Sequence, residues 1–301
     1  MTARPDRSCL IMPSNALGKS RDWLLHQCCP VIAYGGATQF ADVVVATRQA
    51  ADMLASRIDQ SPIAALTLVQ VLRLTESLSD LEALDVESMA YATLQGGEEF
   101  KRWHSTLQAK ASSAAGNEPA IALERNGDDL LAQLNRPAMR NSMTVEMRDA
   151  WVEMLDVLAH DRSIARLLLA ARGKCFSIGG ELSEFGSRPD TAVAHWVRTV
   201  QSPARLMATH GNRVHVHLHG ACIGSGIELA AFAQQVTAHS RAFFQLPELT
   251  MGLIPGAGGT VSIARRIGRQ RTAWLVLSGR RINAGTALEW GLVDQIGASC
   301  W

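Results

Sequence analysis

The sequence predicts an α/β protein, because apolar runs of strand length alternate with glycine-containing turns and helix-like segments. Ile164–Ala171 is a short apolar run that ends before Gly173, as expected for a strand that is buried on both faces. Val214–Leu218 and Val236–Ala238 follow the same pattern further along the chain. Repetition of strand, turn and helix is typical of α/β architectures.

The composition is that of a globular protein with a large core. The 301 residues allow one large or two modest domains, and 47% are hydrophobic while 19% are charged. The net charge of +1 provides no general attraction to nucleic acid or to acidic membrane surfaces. No apolar run approaches the ~18 residues of a membrane span, and Met1–Asn15 lacks the apolar core of a signal peptide. We therefore expect a cytoplasmic protein that binds neither nucleic acid nor membrane.

The cysteines agree with a reducing compartment. They form no CxxC pair and no regular framework, so we expect free thiols rather than disulfides. They are Cys9, Cys28, Cys29, Cys175, Cys222 and Cys300.

Changes of pattern divide the chain into four segments. Residues 1–40 show little periodicity, and we expect much of this segment to be irregular. Residues 41–108 have the three- and four-residue spacing of a helical domain. Residues 109–118 are mostly small and polar and precede a proline, which predicts a linker. Residues 119–301 contain the α/β pattern.

The helical segment contains three predicted helices. The first begins at about Ala41 and ends before Pro62. The second covers Pro62–Ser77, because proline is well suited to the first turn of a helix. The third begins near Asp80 or Asp85.

The α/β segment begins with a predicted hairpin and a helix. Ile121–Leu134 has the pattern of two strands around Asn126-Gly127, a strong signal for a two-residue turn. A helix follows, with Ser142 or Thr144 as its cap. Its apolar stripe consists of Met143, Met147, Trp151, Met154, Leu155 and Leu158.

Two glutamates stand in an apolar, glycine-rich stretch that covers residues 219–260. Glu228 follows the turn Gly224-Ser225-Gly226, and Glu248 lies further along. An unpaired carboxylate is costly in such a segment, so two of them suggest chemistry. The free N–H of a residue that starts a helix, here Ser225, can hold a developing negative charge.

These motifs resemble those of the crotonase, or enoyl-CoA hydratase/isomerase, superfamily. GKCFSIGGEL at residues 173–182 is similar to the superfamily's first oxyanion-hole loop, and the likeness covers roughly residues 119–297 in unbroken order. LNRP at 134–137 and GLVD at 291–294 are similar to its turns. The resemblance implies a crotonase-like (ClpP/crotonase) spiral of ββα units with an additional N-terminal helical domain.

The resemblance implies an enoyl-CoA hydratase of fatty acid metabolism, a lyase that adds water to a trans-2-enoyl thioester. Gly180 and Ser225 match the positions whose N–H groups bind the thioester oxygen, although the family usually has glycine at the second. Glu228 and Glu248 match the two catalytic glutamates, and Glu248 matches the one usually given the proton-donor role. Members with other activities often lack one glutamate, so the presence of both favours a hydratase.

Coenzyme A enters as part of the substrate, and neither a separate cofactor nor a metal is expected. The positions that match substrate and coenzyme A contacts are Ile178, Gly179, Glu181, Leu182, Gly224, Pro247 and Gly256. The family usually has Asp where Glu181 stands and often has Lys shortly afterwards. Because this chain lacks that Lys, we expect the phosphate partner at Lys174, Arg136 or Arg140.

The helical segment resembles the tail that family members carry after the GLVD turn. That tail helps to build a trimer and to close the acyl pocket. We therefore expect the tail-like helices at the N-terminus, as in a circular permutation, with an unrelated helical extension as the alternative. The resemblance implies a homotrimer or a dimer of trimers.

Two other functions are open for the same residues. An isomerase or another enolate-forming member would use Glu248 alone. A catalytically silent homologue would serve as a binding or structural subunit. Thioester turnover distinguishes the silent homologue from both enzymes.

Two further patterns have structural interpretations. His215, His217 and His219 alternate along one strand face with the spacing of a metal site, whereas the matching family strand is structural. The cluster Arg265, Arg266, Arg269 and Arg271 suggests a solvated helix end or a subunit contact rather than nucleic-acid recognition.

Overall fold

The computed structural model describes residues 8–18, 20–107, 118–186 and 190–298. Its strands are β1 Leu10–Pro13, β2 Val31–Tyr34, β3 Val43–Val45, β4 Ile121–Asn126, β5 Asp129–Leu134, β6 Arg166–Ala171, β7 Val214–Leu218, β8 Ala221–Ile223, β9 Gln235–Ala238, β10 Phe243–Gln245, β11 Ile282–Asn283 and β12 Gln295–Ile296. Its α-helices are α1 Arg21–Leu25, α2 Arg48–Ile58, α3 Pro62–Thr75, α4 Asp80–Gln95, α5 Glu98–His104, α6 Val145–His160, α7 Thr191–Val200, α8 Pro203–His210, α9 Ser225–Glu228, α10 Gly259–Ile267, α11 Arg269–Ser278 and α12 Ala284–Trp290.

The strands form three sheets. The largest has the order β12-β9-β7-β6-β5-β4, and all its pairs are parallel except the β4–β5 hairpin. A second sheet has the order β11-β10-β8, in which β10 runs parallel to β8. Strands β1, β2 and β3 form a third sheet with parallel pairs. The mixture of parallel strands and intervening helices confirms the predicted α/β class.

The α/β segment follows its prediction closely. The β4–β5 hairpin pairs Ile121 with Leu134 and Asn126 with Asp129, and β6, β7 and β9 form at the predicted apolar runs. Thr144 caps α6, because its side chain accepts a hydrogen bond from the Met147 N–H. The predicted stripe of α6 is buried except Met143, which precedes the helix and is half-buried.

The first segment, predicted to be irregular in large part, also contains regular elements. It contains β1, β2 and α1, and Val31, Ile32 and Ala33 are fully buried. The strands are very short and pair with strands distant in sequence, so local periodicity cannot indicate them. Val43–Val45 is another short strand that local periodicity did not indicate. The first long helix therefore begins at Arg48 rather than near Ala41.

The next helices match the predicted types but not all the boundaries. Helix α3 begins at Pro62 as expected, and Ser79 caps α4 through a reciprocal hydrogen-bond pair with Glu82. The predicted third helix is two helices, because the chain bends at Gly96-Gly97 before α5 begins. The predicted linker lies outside the described residues, apart from Glu118.

Helices α3 and α4 pack directly on the α/β core. Helix α4 contacts α7, α8 and α10, and α3 contacts α10 and α11. One buried cluster contains Leu68 of α3, Leu84 of α4 and Ile263 of α10. This packing places the side chains of α4 beside the glycine-rich loops of the core. None of the helices in the described ranges is long and apolar enough to cross a membrane.

An ionic network joins the first sheet to the core. Asp42 accepts hydrogen bonds from Arg73 Nε (2.9 Å) and from the Val31 N–H (2.8 Å), and Arg269 Nη1 lies 3.4 Å from its carboxylate. Asp42 and Arg73 are buried. A buried charge that loses its partner is strongly destabilising, so these residues depend on one another.

The arginines of α10 and α11 make hydrogen bonds within the chain, although Arg265 and Arg271 are also exposed. Arg265 donates to Asp80 and to the carbonyls of residues 75, 76 and 78. Arg266 donates to Asp294 and to the carbonyls of residues 231 and 233. Arg271 donates to the Trp290 carbonyl. Sequence spacing shows the cluster but not these partners.

Replacement of Asp42 tests the network. We expect Asp42→Ala to lower the free energy of unfolding by about 3–5 kcal/mol, because Arg73 would stay buried without its counter-ion. Urea denaturation measures this change. The matched control is Asp52→Ala, which breaks the exposed Arg48–Asp52 pair and should cost less than about 1 kcal/mol. Equal losses in the two variants would contradict this role of the network.

Candidate active site

The two predicted glutamates converge on one glycine turn. Strand β8 ends at Ile223 and α9 begins at Ser225, and Gly224 between them has a φ of +51° that is readily available only to glycine. A Cβ atom placed on Gly224 would lie 3.0 Å from Glu248 Oε1 and 3.8 Å from Glu228 Oε1. The parallel pairing of β8 with β10 explains this approach, because Glu248 follows β10 closely in the chain.

Glu228 is buried at the end of α9 and is held by the glycine-rich turn at 255–259. Its Oε2 accepts hydrogen bonds from the N–H groups of Ala257 (2.8 Å) and Gly259 (3.0 Å). Burial raises the pKa of Glu228 well above its usual range, and the negative charges of Glu248 and Glu87 raise it further. The two backbone donors oppose this shift because they favour the charged form.

Glu248 has fewer hydrogen-bond partners than Glu228 among the described residues. Its Oε2 is buried and has no hydrogen-bond partner among the described residues. Burial is the main cause that raises its pKa from an ordinary 4.5 to about 8, and the Glu87 charge adds to it. At neutral pH the pair of Glu228 and Glu248 therefore retains at least one proton and can serve as proton donor and proton acceptor.

The two loops predicted as an oxyanion hole lie side by side. A Cβ atom on Gly179 would be 2.8 Å from the Ile223 carbonyl oxygen, and one on Gly226 would be 2.8 Å from Ser177 Cβ. This close approach explains why glycine occupies both positions. The loops are further joined where the Ile223 N–H donates to the Ser177 carbonyl.

Each loop has a backbone N–H without an acceptor in the described part of the chain. The loop around Gly180 pairs with Met143 through its neighbours, since Met143 N–H donates to Gly179 and Glu181 N–H donates to Met143. The N–H groups of Gly180 and Ser225 donate to no described residue. The left-handed conformation falls on Gly224, so the serine at 225, where the family usually has glycine, adopts an ordinary helical backbone.

Four of the predicted coenzyme A residues, Ile178, Gly179, Glu181 and Leu182, belong to the first loop. The Glu181 carboxylate is bound within the protein, where it accepts hydrogen bonds from Ser183 and from the Ser142 hydroxyl (3.0 Å). Leu182 is exposed, and Ile178 is half-buried beside the Arg140 carbonyl. Pro247 directly precedes Glu248.

One of the three candidate phosphate partners has a different role. Arg136 is buried and donates to Glu146 and to the carbonyls of residues 118, 119 and 135, so it is not available to a phosphate. Lys174 and Arg140 are exposed near the first loop and remain candidates. Burial of an arginine cannot be deduced from its place in a turn motif.

Glu87 is a third buried carboxylate at the site, and it was not predicted from the sequence. Glu87 of α4 accepts hydrogen bonds from the Gly258 N–H (2.7 Å), the Thr260 N–H (2.9 Å) and the Thr260 hydroxyl (2.6 Å). Successive N–H groups from Ala257 to Thr260 thus alternate between Glu228 and Glu87. Burial raises the pKa of Glu87 to about 7. The available signal was an acid on the apolar face of a predicted helix.

Tyr91 lies one helical turn after Glu87 and covers the other predicted loop residue, Gly256. A Cβ atom on Gly256 would be 2.4 Å from the Tyr91 ring. Burial raises the pKa of the Tyr91 hydroxyl, and the charges of Glu228 and Glu248 raise it further. Helix α4 therefore supplies both a carboxylate and an aromatic wall to the site.

The histidines of β7 do not form a metal centre in the structure. In the described part of the chain, no group of three His, Cys, Asp or Glu side chains is arranged to hold a metal ion. His219 Nε2 lies 3.0 Å from the Gly173 carbonyl oxygen, and His217 is buried. His219 thereby connects β7 to the first loop.

Comparisons with known proteins agree with this fold. A family model described as enoyl-CoA hydratase/isomerase matches residues 128–299, more than half of the chain. The fold is that of the crotonase enzymes, which act on acyl-CoA thioesters. The chain belongs to the enoyl-CoA hydratase/isomerase family.

Two relatives and one solved structure illustrate the similarity. The chain is 35% identical to the 2,3-dehydroadipyl-CoA hydratase of Escherichia coli, over 58% of this chain and 68% of the relative. It is 28% identical to a trans-2-decenoyl-(acyl-carrier-protein) isomerase of Streptococcus mutans, over 54% of this chain and 64% of the relative. The structure of an enoyl-CoA hydratase from Thermoplasma volcanium superposes with a TM-score of 0.54 at 29% identity, covering 60% of this chain and 73% of that one.

The raised pKa of Glu248 predicts a pH-dependent cost in stability. The folded protein holds this proton more tightly than the unfolded chain, so this residue's contribution falls as pH rises from about 4.5 to about 8. Glu248→Gln cannot lose the proton. We expect its free energy of unfolding relative to wild type to increase over that range and to level off above it.

Urea denaturation at a series of pH values measures the difference. The control is Glu124→Gln, which removes an exposed carboxylate from β4. A stability difference for Glu248→Gln that does not change with pH would contradict the assigned burial of this group.

Replacement of Glu87 tests the contact between α4 and the glycine-rich turn. We expect Glu87→Ala to lower the free energy of unfolding by about 2–4 kcal/mol, because it leaves the donors of Gly258 and Thr260 buried without an acceptor. Thermal and urea denaturation measure the loss. Asp85→Ala on the same helix breaks a partly exposed pair with Arg205 and should cost below about 1 kcal/mol. Similar values for both variants would show that Glu87 does not hold the turn.

Proposed function

We propose that this protein is an enoyl-CoA hydratase that adds water to a trans-2-enoyl-CoA thioester. The observation that carries the proposal is the convergence of Glu228 and Glu248 on Gly224, beside the free N–H groups of Gly180 and Ser225. Family membership supports a thioester substrate, and the paired carboxyl groups support the addition of water rather than a proton shift alone.

The chemistry requires stabilisation of a thioester enolate. The N–H groups of Gly180 and Ser225 would bind the carbonyl oxygen of the thioester, where negative charge develops. Because these donors are held by the packed loops, they need little rearrangement during the reaction. The thioester would then place its double bond near Gly224, where the two carboxyl groups lie.

The two glutamates would carry the proton transfers. The ionised carboxylate accepts a proton from water as the water oxygen bonds to the β-carbon, and the double-bond electrons move toward the thioester carbonyl. The protonated carboxyl then donates its proton to the α-carbon, and the carbonyl re-forms. The sum is one water added across the double bond. We assign the α-carbon donation to Glu248 and the holding of water to Glu228, which the N–H groups of Ala257 and Gly259 orient.

An isomerase is the second candidate. Such an enzyme needs one carboxyl group that removes a proton from one carbon and returns it to another. Glu248 suits this role because its Oε2 has no partner among the described residues, whereas Glu228 is held by two N–H groups. The names of the relatives include both a hydratase and an isomerase, so they support either enzyme. A silent homologue would bind thioesters without turnover.

Helix α4 is the early helix that contributes side chains to the proposed site. We propose that α4 completes it in place of the family's C-terminal tail, since Glu87 and Tyr91 contact the glycine-rich turn. The proposed substrate brings coenzyme A with it, and the proposed chemistry uses no separate redox or metal cofactor. A homotrimer or a dimer of trimers and a cytoplasmic location remain predictions of the sequence.

Turnover of defined thioesters tests the function. Loss of enoyl absorbance with trans-2-enoyl-CoA substrates measures hydration, and Glu228→Gln and Glu248→Gln should each lower kcat by about 10²–10⁴-fold. Glu124→Gln serves as the surface control, and circular dichroism confirms folding. Activity on a 3-enoyl thioester without hydration would replace the proposal with the isomerase. Thioester binding without any turnover would leave the silent homologue.

A further inference from the structure

Arg198 of α7 is a partly buried cation without a counter-ion among the described residues. Its Nη1 donates a hydrogen bond to Gln95 Oε1 (3.0 Å). Its Nε and Nη2 are buried and have no acceptor within the described ranges. Most arginines of this chain that reach the interior, such as Arg73, bind a carboxylate or several carbonyls. Arg198 is therefore unusual.

A buried hydrogen-bond donor without an acceptor costs free energy of folding, so the two unsatisfied donors of Arg198 need an explanation. The Nε–H and Nη2–H groups of a guanidinium lie on one edge and point in nearly the same direction. This edge matches the two oxygens of a carboxylate and forms two parallel charge-assisted hydrogen bonds with it. The free edge of Arg198 is thus shaped for a carboxylate rather than for an apolar group.

Arg198 lies close to the candidate active site. Its guanidinium lies 4.6 Å from the centre of the Tyr91 ring. The same ring lies against Gly256, in the turn that holds Glu228. One aromatic side chain therefore separates the guanidinium from the turn beside the reacting groups. Gln95 also lines a cavity of about 240 Å³ between α4, α5 and the start of α7.

The groups that face Arg198 do not neutralise it by direct contact. Glu87 and Tyr91 are the charged and titratable groups whose electrostatic effect it feels. Both Glu87 oxygens are already bound by Gly258 and Thr260. His195, one turn earlier on α7, is bound to Ser88 of α4. No carboxylate of the described residues reaches ion-pair distance of Arg198.

We propose that Arg198 binds a carboxylate at the far end of the acyl chain, so that the preferred substrates are enoyl-CoA thioesters of dicarboxylic acids. The proposal rests on the proposed thioester function and specifies its substrate class. Arg198 acts as a specificity residue, and the proton transfers remain with the two glutamates. Because the Tyr91 ring lies against both the guanidinium and Gly256, it would have to shift for the distal carboxylate to reach the buried edge.

The test compares two substrates that differ only at the end of the chain. These are trans-2-hexenoyl-CoA and the analogue in which a carboxylate replaces the terminal methyl group. The variants are Arg198→Met and Arg198→Lys. The matched control is Arg205→Met. Arg205 binds Asp85 of α4, the helix that also carries Gln95, the hydrogen-bond partner of Arg198. Thermal denaturation identifies any variant that does not fold.

We expect wild type to prefer the carboxylate substrate in kcat/KM. Arg198→Met should lower kcat/KM for that substrate by about 10–100-fold, the effect of losing hydrogen bonds to a charged group. The same variant should leave the alkyl substrate nearly unchanged, and Arg198→Lys should recover part of the preference. Arg205→Met should change neither.

Three results would overturn the proposal. They are a wild-type preference for the alkyl substrate, equal losses on both substrates in Arg198→Met, and no loss on either. Equal losses would assign Arg198 to the support of Tyr91 and Glu87. If neither thioester turns over, the proposed hydratase function fails, and the carboxylate site is then tested by calorimetric binding of the two thioesters. Tighter binding of the carboxylate substrate, lost in Arg198→Met, would support the carboxylate site. Equal binding of the two thioesters would overturn it.

Discussion

Alternation of backbone donors at the start of α10 is the interaction on which the site depends. The N–H groups of residues 257 and 259 bind Glu228, and those of 258 and 260 bind Glu87. A helix N-terminus favours negative charge, and its free N–H groups satisfy carboxylates that burial would otherwise leave without partners. Because the two acids come from α9 and α4, this single turn joins the early helices to the α/β core.

This arrangement lowers stability because it buries three carboxyl groups close together. Glu87, Glu228 and Glu248 are all buried; the charge of Glu87 raises the pKa of both Glu228 and Glu248, and the charge of Glu248 raises that of Glu228. Proton affinities near neutrality are useful for acid–base chemistry, although they lower stability at higher pH. Glycine at 224, 226 and 256 permits the necessary close approach of loops and side chains. Stability is thus lost at the same residues that make the proposed chemistry feasible.

Much of the core was predictable because its signals are local. The β4–β5 hairpin, the Thr144 cap and the buried face of α6 follow from turn chemistry, capping and periodicity. The convergence of Glu228 and Glu248 was inferred from a resemblance of ordered motifs, and the structure places both beside Gly224. The sheet of β1, β2 and β3 was missed because its pairing is non-local. Arg136 was misjudged because nothing in its motif reveals its burial.

The sequence by itself determined the α/β class and the family resemblance, and it predicted the two oxyanion-hole loops and the two glutamates of the core. Each of these depends on residues that are close in the chain or on motifs in a known order. Only the tertiary structure decided that Glu87 and Tyr91 meet the glycine-rich turn and that Arg198 lies over the Tyr91 ring. These residues lie on α4 and α7, far from that turn in sequence, and helix periodicity identifies a buried face without identifying what it is buried against.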